Sequence, residues 1–313
     1  MLNTEMINDE SRYVRCIDAS KRIRWDIESD VIRNRSLDST RKFLPDGLTG
    51  VQSLTFLSTS DKKLLSQVQG RTYANMFRLV ERFINTKILE IKDHLGSENP
   101  VVLESLIRFS DEEIKHMELF RRIDKMASKI MPAGYKFVAE ADEVATVVLS
   151  KSTWSVLALT CVIELFTQAH YRHSIEPETN ICPLYKDVFL FHWKEESQHA
   201  IIDELEWRKH DACLDFPARD AAVTDLIDLV VAIDSILEIQ AASDARYFLD
   251  VCGQSFYEEN ELALAEIMLE SYRYQYIFSG TSLPRFQKIL SDLLNPQQLD
   301  RIVSALQTLK PAN

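Results

Sequence analysis

Apolar residues recur every three or four positions along most of this chain, and long stretches keep that rhythm without a glycine or proline. The period is that of helices burying one face. It predicts a first helix over about 10–34, ended by the polar Asn34-Arg35-Ser36, and then a turn at Leu44-Pro45-Asp46-Gly47. Ser60 is expected to cap a long helix over about 61–95, closed by Gly96. A second long helix follows Asn99-Pro100 and stops before Pro132-Ala133-Gly134. A third helical region over about 139–174 should break near Lys151-Ser152. Glu176-Pro177 to Cys182-Pro183 reads as a loop, and the next helix runs to about Cys213, ended by Asp215-Phe216-Pro217. Further helices are expected over about 219–250, 257–278, 284–294 and 296–309.

Only seven glycines in 313 residues agree with an all-α chain, because strands would need frequent turn residues. The length suits one domain with an ample core. We divide it into an N-terminal helical extension (1–56), a helical core (57–213) and a C-terminal helical cap (214–313).

Chemistry enters through carboxylates on apolar faces. Glu81 lies in YANMFRLVERFINTKILEI and Glu164 in WSVLALTCVIELFTQAHY, the most apolar stretch of the chain. Each stands 32 residues ahead of a Glu-x-x-His: Glu113-Ile-Lys-His116 and Glu196-Ser-Gln-His199. The pattern therefore occurs twice, offset by 83 residues. Random placement gives roughly half of one Glu-x-x-His in such a chain. Within each motif the two side chains are about 60° apart on one helical face. A carboxylate in such surroundings needs a partner or a metal. Four carboxylates carry a charge that two divalent ions cancel, and helical bundles hold paired iron or manganese ions in this way. The competing reading is a set of neutral Glu–His core pairs.

Thirty-two residues fit an antiparallel hairpin, up about 16 and down about 16. The 48 residues from His116 to Glu164 are too many for a tight hairpin and suggest a long crossover. Two helix pairs so joined form a ferritin-like four-helix bundle with one long crossover.

The halves differ. His192 lies four residues before Glu196, where the first half has Phe109, and Asp203 lies four after His199, where the first half has Phe120. His192 is expected to be a third imidazole ligand, with a hydrogen-bonded core histidine as the alternative. Asp203 is expected to orient a ligand imidazole from behind. Glu112 and Glu195, each just before a ligand Glu, are placed to reach the opposite histidine, or else are exposed. Phe77, Asn85, Thr160, Thr167 and Gln168 lie within a turn of Glu81 or Glu164 and are candidates to line a cavity.

Paired sets of this kind mark the di-iron carboxylate superfamily, and His192-x3-Glu196-x2-His199 resembles the AurF family of di-iron N-oxygenases. The resemblance covers about 57–210. It implies seven ligands, Glu81, Glu113, His116, Glu164, His192, Glu196 and His199, acting through two iron ions, with manganese as the alternative metal. It implies O2-dependent oxidation of an arylamine and a homodimer. A C-terminal arginine anchors a substrate carboxylate in that family, which would make Arg273, within Ser271-Tyr272-Arg273-Tyr274-Gln275-Tyr276, the substrate-binding residue. A di-iron desaturase or C–H hydroxylase is the alternative, and a non-catalytic metal-binding helical protein the second. A radical-storing reductase subunit is disfavoured because Phe120 stands where its tyrosine belongs.

Net charge sets the remaining expectations. At −12, nucleic acid is disfavoured as a partner. The basic stretch 21–42 (Arg22, Arg24, Arg33, Arg35, Arg41) reads as a solvated helix face, or as a contact for an acidic partner. Five scattered cysteines read as reduced thiols of a cytoplasmic protein. No signal core or membrane span is expected. Without a flavin, nicotinamide or iron–sulfur motif, electrons for O2 chemistry would come from an external donor.

Overall fold

The computed structural model describes residues 2–95 and 99–310, with the side chains of 2–8 and 94–95 excluded. Among these residues the protein is all-α, with a single isolated β-bridge, Lys42 to Ile181. The helices are α1 (Leu2–Arg22), α2 (Asp46–Thr49), α3 (Thr59–Leu95), α4 (Pro100–Ile130), α5 (Ala141–Leu149), α6 (Thr153–His170), α7 (Pro183–Asp211), α8 (Phe216–Val251), α9 (Glu258–Arg273), α10 (Ser279–Thr281), α11 (Pro284–Leu293) and α12 (Pro296–Thr308). Wide turns with i to i+5 hydrogen bonds occur at Ile27–Ile32, Tyr171–Ile175 and Tyr274–Phe278.

The first helix ends at Arg22, well short of the expected boundary. Asp26 begins a separate turn instead, its carboxylate accepting from the backbone N–H groups of Glu28 and Ser29. Arg33 and Asn34 then adopt left-handed backbone, φ 51° and 56°, which no helix continues. The arginines after this break are therefore not one helix face. Arg33 and Arg35 both pair with Asp187 of α7. Ser58, not Ser60, caps α3: its hydroxyl accepts from Asp61 N–H at 3.2 Å while Asp61 accepts from Ser58 N–H at 3.1 Å. The expected stop at Gly96 lies outside the described residues. The break near Lys151-Ser152 is present between α5 and α6.

Two long hairpins position the site. Asn85–Ser110 and Asn75–Asp124 hydrogen bonds fix α3 antiparallel to α4. Gln168 bonds to the Glu196 carbonyl and Trp154 to Asp211, which fix α6 antiparallel to α7. α4 also touches α7, and α3 touches α6, so the four pack side by side. α5 lies in the connection between the hairpins and packs on α3 and α6. α1 covers α4 and α7, and α8 packs on α6, α3 and α9. One continuous apolar core draws residues from all three parts of the chain, from Tyr13 to Leu309. Gly70 lets the preceding loop cross α3 closely, since a Cβ there would lie 2.5 Å from that of Phe43. No helix among the described residues is long and apolar enough to cross a membrane. All five cysteines are unpaired.

Candidate metal centre

Glu81 comes from α3, Glu113 and His116 from α4, Glu164 from α6, and His192, Glu196 and His199 from α7. None of the seven is more than 3% exposed. The helical repeat accounts for this, since each side chain replaces an apolar residue on the face its helix turns inward.

Two overlapping donor sets result. Glu81, His116, His192 and Glu196 form one, and Glu113, His116, Glu196 and His199 the other, each with its ligand atoms within 4.8 Å of one another. His116 and Glu196 belong to both. His192 Nε2 lies 2.9 Å from Glu81 Oε1 and 2.8 Å from Glu196 Oε1. His199 Nδ1 lies 2.9 Å from Glu113 Oε1 and 3.4 Å from Glu196 Oε2. Glu164 is in neither set, but it shares a hydrogen bond with Glu196.

Short distances here do not mean satisfied hydrogen bonds. Glu81 Oε2, both Glu113 oxygens, His116 Nδ1, Glu164 Oε2, Glu196 Oε1 and His199 Nδ1 are buried without a hydrogen-bond partner. Buried polar atoms are ordinarily paired, and leaving one unpaired costs about 1–3 kcal/mol. Their concentration in one place, on the residue types that bind metals, makes this buried cluster one that can hold a metal ion.

The outer nitrogens are held in a crossed arrangement. Glu195 of α7 accepts from His116 Nε2 of α4 at 2.8 Å, and Glu112 of α4 accepts from His199 Nε2 of α7 at 2.8 Å. In the neutral form, with Nε2 carrying the proton, the Nδ1 lone pairs of His116 and His199 face the centre, whereas His192 turns Nε2 inward. Lys115 Nζ bonds to Glu195, while Ser20 and Gln198 donate to Glu112. These three contributors, and the Trp25 ring stacked 6.0 Å from His116, follow only from tertiary packing: Ser20 lies on α1 and Trp25 just after it, while Lys115 and Gln198 come from α4 and α7 as those helices face each other.

Aromatic rings close the rest. Phe109 stacks on His199 at 3.9 Å, and Phe120 meets His192 edge-on at 4.9 Å. The phenylalanines that break the repeat thus pack against the very histidines of the other half.

Electrostatics follow from four buried carboxylates. Burial opposes charge on His116, but hydrogen bonds to Glu195 and Glu81 and the charges of Glu81 and Glu196 outweigh it and raise the imidazole to about 9. His192 and His199 are raised against burial in the same way, chiefly by Glu196. Burial and then repulsion from Glu196 push Glu164 well up, so Glu164 holds the proton of that pair. Metal binding would displace these protons.

No family model matches this chain, and no curated protein does.

Two expected roles are corrected by the geometry. Asp203 orients no imidazole: the outer nitrogens of His116 and His199 bond to Glu195 and Glu112, the outer Nδ1 of His192 has no hydrogen-bond partner among the described residues, and burial pushes the Asp203 carboxyl up to about 7. Arg273 is not free for a substrate carboxylate. Its fork is held by Asp234 at 2.6 and 2.8 Å and by Glu238 at 3.0 Å, which ties α9 to α8. Of the candidate cavity residues, Phe77 lines an apolar cavity beside the centre. Asn85 accepts from Ser110, and Thr160 and Thr167 bond to their own helix.

Proposed function

We propose that this protein binds a pair of iron ions and is an O2-dependent oxidoreductase of the di-iron oxygenase type, built on a ferritin-like bundle. The observation that carries the reading is the set of unpaired, inward-facing donor atoms on two hairpins, backed by crossed carboxylates on the outer nitrogens of His116 and His199. Glu81, Glu113, His116, Glu164, His192, Glu196 and His199 would hold the ions, with manganese as the alternative metal. Such a pair supplies O2 activation when bound. The chain's own part is to aim the Nδ1 atoms of His116 and His199 inward through Glu195 and Glu112, which also make these two imidazoles more basic. Phe77, Phe109, Phe120 and Trp25 exclude water around it.

The additional imidazole, His192, favours oxygen transfer to the nitrogen of an arylamine, in line with the resemblance to the N-oxygenases. It adds a neutral donor without altering the charge balance. A second reading, C–H hydroxylation or desaturation, is favoured by the apolar lining of the cavity against Phe77 and Ile163. Both need O2, a small organic substrate and an external electron donor. The test is to load the protein with Fe(II) without air, count the iron, and follow O2 uptake with an arylamine and an aliphatic substrate in parallel. Two irons per chain with substrate-dependent O2 uptake supports the proposal. Tight metal binding with no O2 chemistry would leave a non-catalytic metal-binding helical protein.

A further inference from the structure

Against the candidate centre lies a cavity of about 60 Å³ whose wall includes Phe77, Val80, Ile163, Phe166 and Tyr276. Phe77 and Val80 sit on the same turns of α3 as Glu81, and Ile163 immediately precedes Glu164 on α6, so cavity and cluster share the same stretches of backbone. A second cavity of about 30 Å³ continues toward α12 and shares Leu159, Ile233 and Tyr276 with the first. Along α8 the two are lined from Leu226 to Leu237, a run of roughly 16 Å at 1.5 Å per residue. The two adjoin along these three shared side chains, the waist of a slot lined by α6 and α8.

Its chemistry is narrow. Among the described residues, no charged side chain lines either cavity. Thr281 spends its hydroxyl on the Ile277 carbonyl at 2.8 Å. The Tyr276 hydroxyl at the waist is different, being buried with no hydrogen-bond partner. It is carried by the wide turn Tyr274–Phe278, an irregularity of the kind that occurs often at functional sites. An ionised ligand would have to leave water with nothing to neutralise it, since Arg273 is already bound by Asp234 and Glu238. A neutral apolar ligand incurs no such cost and gains by leaving water. One polar atom on that ligand would satisfy the orphaned hydroxyl.

We infer that the slot binds a neutral, chain-like apolar molecule whose single polar group accepts a hydrogen bond from Tyr276. Its identification as the substrate rests on the di-iron reading above. Binding itself does not, and is measured on protein freed of metal. Tyr276 is here a positioning and specificity residue, setting how far the chain reaches toward Glu81 and Glu164.

The experiment titrates metal-free protein with 1-octanol, octanoate and octylammonium by calorimetry, alongside 1-octene as a chain without a polar group. Binding of octanol but of neither ion is expected. Tyr276→Phe should weaken octanol about two- to tenfold, the worth of one neutral hydrogen bond, and leave 1-octene unchanged. Ile233→Phe, which fills the waist, should abolish both, with circular dichroism confirming the fold. Octanoate binding as tightly as octanol, or a Tyr276→Phe variant with undiminished octanol affinity, would overturn the inference. If instead octanol binds as described but no iron is taken up, the slot stands and the di-iron reading falls.

Discussion

Glu195 Oε2 of α7 lies 2.8 Å from His116 Nε2 of α4, and the same bond recurs in the other direction between Glu112 and His199. Each carboxylate thus orients a histidine on the opposite hairpin, and the two hairpins hold each other's candidate ligands. Carboxylates in this position typically raise metal affinity 10- to 100-fold. Glu195→Gln and Glu112→Gln should each weaken metal binding by about that factor, read by competition with a chelator. Unchanged affinity in both would mean that these bonds serve packing alone.

Glu196 and His116 are common to both donor sets, whereas Glu81 and His192 belong to one. Glu196→Gln should therefore lose both ions. Glu81→Gln or His192→Ala should retain one, the ion at the set Glu113, His116, Glu196 and His199. Metal analysis after desalting separates the cases, and equal loss in all three variants would contradict two distinct positions. His192→Ala also tests the N-oxygenation reading: an unchanged product spectrum would remove it.

Away from the centre, Tyr73 donates to His170 Nδ1 at 2.8 Å, and His170 Nε2 donates to Ser279 at 2.8 Å, whose own proton goes to the Gln275 carbonyl. Burial pushes the imidazole down to about 3 from an ordinary 6.5. The folded protein keeps it neutral while the unfolded chain takes up a proton below about 6.5. Its contribution is therefore complete above that value and is lost progressively as pH falls toward 3. Urea midpoints of metal-free His170→Gln should fall less steeply than wild type between pH 6.5 and about 4.5. Parallel curves would show that His170 does not titrate across unfolding.

The reciprocal cap of Ser58 and Asp61 at the start of α3 is distant in chemistry from the cluster. Ser58→Ala should cost about 1 kcal/mol in chemical denaturation. Metal stoichiometry should be unaltered. A drop in metal content would indicate that α3 needs its first turn intact to place Glu81.

Particular residues show where sequence reading stopped. Glu112 and Glu195 precede a ligand Glu by one residue, a rotation of about 100°, which is compatible with either solvent or a neighbouring helix. Only the facing of α4 and α7 decides between these. Asp203 shares the stripe of His199, but the stripe specifies angle and not which imidazole nitrogen remains free at that height. Arg273 was singled out in an aromatic run in which Tyr276, three residues on, bears the unpaired group. The arginine was unavailable because Asp234 and Glu238, one turn apart on α8, reach it first. Apolar spacing continues past Arg22, so local pattern alone extends the first helix, while the capping carboxylate of Asp26 starts a new turn there.

The sequence by itself determined the all-helical class, most helix boundaries and the seven residues that gather at the centre. These follow from local rules, since helical period and motif spacing are properties of one stretch of chain. Tertiary structure alone decided which nitrogen of each histidine faces inward, the crossing of Glu112 and Glu195, the engagement of Arg273 and the slot beside Tyr276. Each depends on the rotation and height of helices far apart in sequence, and these are set by how whole apolar faces pack.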